Sequence, residues 1–234
     1  MPVDQLKTTE KDLERNRLLG ILEGASARTI ANLTTGAYMV GLLKYMGASD
    51  TFCGYVLSIP VFAAIIQVFS PMILESLKLR KKIIVIGCML HRVLLSMLIF
   101  VTFIPMNPGI RLMIAAILMF VSYLAVSFVN PAVSNMYISF VPQNIRGKYF
   151  GTRESYILIA ATLLTLVLGK VLDIYTDAGR EGTGYIIVYC FIFIMTALNI
   201  SFFAMMKEVP LSHTSERVKL SEIFTLPLKN RKFI

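Results

Sequence analysis

Apolar runs of membrane-spanning length alternate along this chain with short polar stretches rich in lysine and arginine. About 20 apolar residues suffice for one helical crossing of a bilayer. The pattern predicts six such helices, at roughly 18–46, 51–75, 83–105, 110–140, 154–175 and 184–206. A polar segment, 1–17, precedes them and a polar, basic tail, 207–234, follows. Within that tail, 219–228 has the pattern of one short helix lying on a membrane surface.

The first run is the unusual one, because it carries Glu23, Arg28 and Asn32. A charge near the bilayer centre costs at least ~2.5–3.5 kcal/mol on insertion scales, so such residues turn toward a bundle interior or a watery cavity. At about 100° per residue, Glu23 and Arg28 point about 140° apart and do not pair within the helix. Arg28, Asn32 and Thr35 share one face; Glu23, Ile30, Thr34 and Gly41 share another. Gly20, Gly24, Gly36 and Gly41 are small enough to admit close helix neighbours. In the fourth run Tyr123, Ser127, Asn130 and Ser134 recur at spacings of four, three and four, which places them on one face. Pro131 kinks that helix without ending it. The third run holds the adjacent pair His91-Arg92.

Composition agrees with this pattern. The 234 residues are 56% hydrophobic and only 16% charged, where a soluble domain has about 25% charged residues. The formal net charge is +9. Nucleic acid is the usual partner of a basic protein, but here most of the cations sit in the short stretches 76–82 and 142–153 and at both ends, and the opposite loops offer only Lys44, Arg111 and Arg180. The positive-inside rule places those stretches in the cytoplasm. Both termini then lie inside, and an even number of crossings follows.

Several chemistries are excluded. Cys53, Cys88 and Cys190 fall in apolar runs without metal-ligand or disulfide spacing. The two histidines, His91 and His213, cannot form an H-E-x-x-H pair. Neither G-x-S-x-G nor the phosphate-binding G-x-x-x-x-G-K-[ST] occurs. No cofactor is expected, and an intramembrane enzyme is the remote alternative. The N-terminus mixes acids and bases and offers no cleavage site, unlike a signal peptide.

The layout resembles the N-terminal half of a major facilitator superfamily transporter. Six helices with cytoplasmic ends carry the likeness first. The second feature is the basic stretch after helix two, Ser70-Pro-Met-Ile-Leu-Glu75-Ser-Leu-Lys-Leu-Arg80-Lys-Lys82, in which Glu75 and Arg80 stand at the acidic and basic positions of the family's loop. The family's glycines and central arginine are missing from it. The third is Pro142…Arg146-Gly147-Lys148…Gly151-Thr-Arg153, similar to the family's P-x-x-x-R-G-x turn. The antiporter glycine-proline pattern is absent, since 163–172 offers only Gly169.

The resemblance implies secondary active transport of a small solute by alternating access, in a bacterial cytoplasmic membrane. It implies that 207–234 is the linker to a second six-helix half, and that the chain acts with that half or with a second copy. The first and fourth helices would line the cavity, setting Arg28 and Asn32 opposite Tyr123, Ser127 and Asn130 as substrate-binding residues. Glu23 would either carry a coupling proton or pair with Arg92 as part of a gate, the pairing being the favoured alternative. Glu75 with Arg80, and Arg146 with Gly147, would act as latches in the basic loops, against the simpler reading that those loops only fix orientation. A non-transporting scaffold or an inert fragment is the alternative from a different class.

Overall fold

A computed structural model describes residues 9–74 and 80–209. The described residues are helical and contain no strand. Nine α-helices follow in order: α1 (Glu10–Leu33), α2 (Gly36–Tyr45), α3 (Asp50–Ala63), α4 (Ser70–Leu74), α5 (Lys81–Ser96), α6 (Leu98–Phe103), α7 (Pro108–Ser139), α8 (Arg146–Asp177) and α9 (Glu181–Met205). A 3-10 stretch, Ala64–Phe69, joins α3 to α4. Taken with their continuations, five helical segments are long and apolar enough to cross a membrane: Asp50–Leu74, Lys81–Phe103, Pro108–Ser139, Gln143–Asp177 and Glu181–Met205. This is the composition of an integral membrane protein.

The outward faces support that reading. Val61, Phe62, Ile65, Phe100, Met113, Ile117, Leu163, Leu166, Val167 and Ile194 are all exposed. In water so continuous an apolar surface would be an association site; hydrocarbon solvates it directly. Only 17–39% of the most apolar window of each segment is buried inside the bundle.

The first apolar run departs from a single helix over 18–46. It divides at Thr34-Thr35, and α1 begins earlier, at Glu10, where Thr9 and Asp12 form a capping box. Thr34 Oγ1 donates to the Ile30 carbonyl at 2.8 Å and Thr35 Oγ1 to that of Ala31 at 2.7 Å. Such back-bonding competes with the helical ladder. Thr35 is extended and Gly36 has φ +54°, a left-handed conformation that only glycine adopts cheaply. Gly36 therefore serves the break, and no neighbour packs against it. The fifth helix also differs from its expected start at 154. It begins at Arg146, so Gly147 and Gly151 lie in helix and not in a turn. Lipid hydropathy marks where a helix leaves hydrocarbon, not where its hydrogen bonding stops.

Helix α1 packs on α8 and α9, α5 packs on α7 and α9, and α3 lies along α7. One end of the bundle is tied by polar contacts. Asn16 Nδ2 donates to the Lys207 carbonyl at 2.7 Å, and Lys207 N returns a bond to Asn16 Oδ1 at 2.8 Å. Glu208 Oε1 accepts from the backbone N–H groups of Arg80 and Lys81, at 2.5 and 2.8 Å, capping α5. Lys207 Nζ donates to Asp12 Oδ2 at 2.8 Å, and this bond, with those from Thr9, holds the Asp12 carboxyl at about 2. Glu75 and the tail beyond 209, including the short helix expected at 219–228, lie outside the described residues.

Candidate functional site in the buried polar layer

The apolar core forms two clusters, and the boundary between them has a physical cause. On α1, Leu19 belongs to one cluster and Ile30 and Leu33 to the other, with Glu23, Ser26 and Thr29 buried between. On α5 the sequence is Cys88, Arg92, Leu95; on α9 it is Ile192, Thr196, Asn199, Phe203. On α7, Met119 and Val129 flank buried Ser122 and Ser127. The same order on four helices makes one polar layer across the bundle.

Glu23 is its centre. Arg92 Nη2 donates to Glu23 Oε1 at 2.9 Å, with the two side chains only 8% and 5% exposed. Tyr137 Oη donates to Glu23 Oε2. Asn199 Nδ2 reaches Glu23 Oε1 at 3.1 Å, the Glu23 carbonyl at 2.9 Å and Ser26 Oγ at 2.9 Å. Arg92 Nη1 donates to the Cys88 carbonyl at 3.3 Å. Below it in the same layer, Ser96 Oγ and Thr196 Oγ1 lie 3.1 Å apart. A buried charge is tolerable only when paired and hydrogen-bonded. Glu23 meets that condition with groups from α5, α7 and α9.

The charges continue outward in alternation. Arg153 Nη2 lies 4.0 Å from Glu23 Oε2, and its Nη1 lies 3.9 Å from Glu154 Oε2. Glu154 Oε1 accepts from Arg28 Nη2 at 2.6 Å. The ladder thus runs Arg92, Glu23, Arg153, Glu154, Arg28, from the interior of the bundle to a pair 43% and 47% exposed. Three guanidinium groups and two carboxylates leave it a net charge of +1. The Arg153 guanidinium lies 4.5 Å from the centre of the Tyr137 ring, and its Nε donates to the Gly20 carbonyl at 3.2 Å. Gly24 makes room for it: a Cβ there would overlap Ile157 and lie 2.8 Å from Arg153 Nη2.

The residues singled out from the sequence separate into groups. Glu23 and Arg92 meet. Arg28 and Asn32 share a face, as the spacing predicts, but that face turns toward α8, where Asn32 Nδ2 donates to Thr165 Oγ1 at 3.3 Å. They are therefore not set against the α7 stripe. In that stripe Tyr123 meets the His91 ring edge-on at 5.0 Å, Ser127 is buried, and Asn130 is exposed with its carbonyl accepting from Ser134. His91 Nδ1 lies 2.7 Å from Ser122 Oγ, a packing arrangement within α5 and α7. Arg80 is buried at the start of α5 beside Glu208. Arg146 Nη2 contacts the Val141 carbonyl at 3.4 Å, within its own loop, and Gly147 is exposed.

Sequence reading missed Tyr137, Arg153, Glu154 and Asn199. Asn199 did carry a signal, as a lone amide in an apolar run. Arg153 and Glu154 fell at a loop–helix boundary drawn too late, and Tyr137 was one aromatic among many. No family model, no curated protein and no solved structure matches the chain.

Proposed function

We propose that this chain is a six-crossing half of a secondary transporter of the major facilitator type, moving a small polar solute by alternating access. In this reading α1 and α2 together make the first crossing, both ends of the chain lie in the cytoplasm, and the membrane is the bacterial cytoplasmic one. A second half or a second copy completes the pathway. The observation that carries the reading is the charge ladder, which leads from a fully paired interior to the part-exposed Arg28–Glu154 pair. Charges held at hydrocarbon depth call for a watery cavity or a protein cover.

The full satisfaction of Glu23 favours one second reading, a scaffold in which the layer only fixes helix packing. The two readings part on access. In a variant with Cys53, Cys88 and Cys190 replaced by alanine, Asn32→Cys is treated with a membrane-impermeant maleimide in right-side-out and in inside-out vesicles. Transport by alternating access predicts labelling from both sides. Labelling from one side only, or from neither, would overturn it in favour of the scaffold.

A further inference from the structure

Among the described residues, one cation of the ladder, Arg153, has ion-pair contacts but no hydrogen bond to a carboxylate. Arg92 is matched to Glu23 at 2.9 Å and Arg28 to Glu154 at 2.6 Å. Arg153 stands between the two acids at 4.0 and 3.9 Å, too far for a hydrogen bond to either. Its Nε bond to the Gly20 carbonyl is neutral, and its side chain is 14% exposed. The surplus positive charge of the ladder resides here, at the point where the buried layer opens to the α1–α8 face.

We propose that Arg153 and Arg28 form a clamp for a solute carboxylate, which Glu154 now occupies in part as an internal stand-in. A guanidinium fork matches a planar carboxylate with two parallel hydrogen bonds. Glu154 already receives one such bond from Arg28 and points its other oxygen toward Arg153. A carboxylate entering from the exposed side meets both arginines once Glu154 turns away. One negative charge neutralises the ladder; a dianion would reverse its sign beside Glu23, so the preferred solute is a monoanion. Glu23 makes its hydrogen bonds to Arg92, Tyr137 and Asn199 and faces Arg153 only at 4.0 Å, so a carboxylate that hydrogen-bonds Arg153 displaces no bond of Glu23. The clamp deepens the transport reading and rests on it for its purpose, but binding is measurable where no transport takes place.

The test uses the whole purified protein in nonionic detergent, with its melting midpoint followed by helical circular dichroism. Sodium acetate is titrated against sodium chloride at equal ionic strength. Acetate is expected to raise the midpoint saturably in the wild type. Glu154→Gln, which removes the internal competitor, is expected to tighten acetate binding about tenfold, whereas a charge-neutral packing role would leave it unchanged. Arg153→Gln is expected to abolish the rise; should that variant fail to fold, the comparison of wild type with Glu154→Gln decides alone. No acetate-dependent rise in either of those two proteins would overturn the clamp. So would a rise that persists undiminished in Arg153→Gln. Either failure would leave the two-sided labelling of Asn32→Cys standing as an independent result.

Discussion

Glu23→Leu is expected to be the most damaging single change in the polar layer, costing about 3–5 kcal/mol of stability, the usual penalty for stripping one partner from a buried ion pair. It leaves Arg92 with the Cys88 carbonyl and the Phe203 ring but no anion, deprives Arg153 of one of its two anions, and removes the carboxylate acceptor of Tyr137 and Asn199. Arg92→Met is expected to cost less. Glu23 then still holds the Tyr137 and Asn199 bonds, and Arg153 at 4.0 Å has a short way to close. The double variant Glu23→Leu/Arg92→Met is expected to recover much of the loss, because no unmatched charge remains at that point and two apolar side chains pack together. Unfolding in mixed detergent micelles, followed by circular dichroism, measures all three. Equal costs for the single variants, adding without interaction in the double, would show that Glu23 and Arg92 do not act as a pair.

Gly24→Val is expected to separate α1 from α8 and to cost at least about 1–3 kcal/mol, the range for overpacking a close contact. A Cβ at Gly24 overlaps Ile157, and the valine methyls extend into the space of the Arg153 guanidinium. The variant should therefore lose acetate stabilisation together with its packing. Gly20→Ala provides the graded control, since its Cβ would meet Tyr137 and Tyr149 at 3.1 and 3.3 Å and a small ring shift relieves it. Melting midpoints in detergent, with and without acetate, check both. A Gly24→Val protein as stable as the wild type would remove the close α1–α8 approach from the account.

The membrane class of the protein was legible in the sequence because long apolar runs have few other uses. The Glu23–Arg92 pair was legible because a buried charge demands a partner, and the third run supplied few candidates. Other features were hidden by the same signal. The break after α1 is written in Thr34-Thr35-Gly36, but the continuing hydropathy of Ala37–Leu43 outweighed that stop signal. The start of α8 was masked by the charges and glycines of 146–153, which read as loop although helix bonding continues through them. With that boundary eight residues late, Arg153 falls in the loop and Glu154 at the very first helical position, and Arg28 is turned toward α7 in place of α8. Which helices are neighbours is a tertiary fact; Arg28 and Asn32 display their shared face, but nothing in their spacing says whose face they meet.

The outer end of the ladder is expected to meet water in an electropositive setting. Glu154→Cys, in the background lacking the three native cysteines and reconstituted into liposomes, tests this with two impermeant methanethiosulfonates, one anionic and one cationic. Removal of the Glu154 carboxylate leaves the thiol beside Arg28 and Arg153. Relative to their rates with a free thiol in solution, the anionic reagent is predicted to be favoured over the cationic one, with the preference shrinking as salt screens it. Unreactivity toward both reagents, or a rate ratio the same as that of the free thiol, would contradict the account.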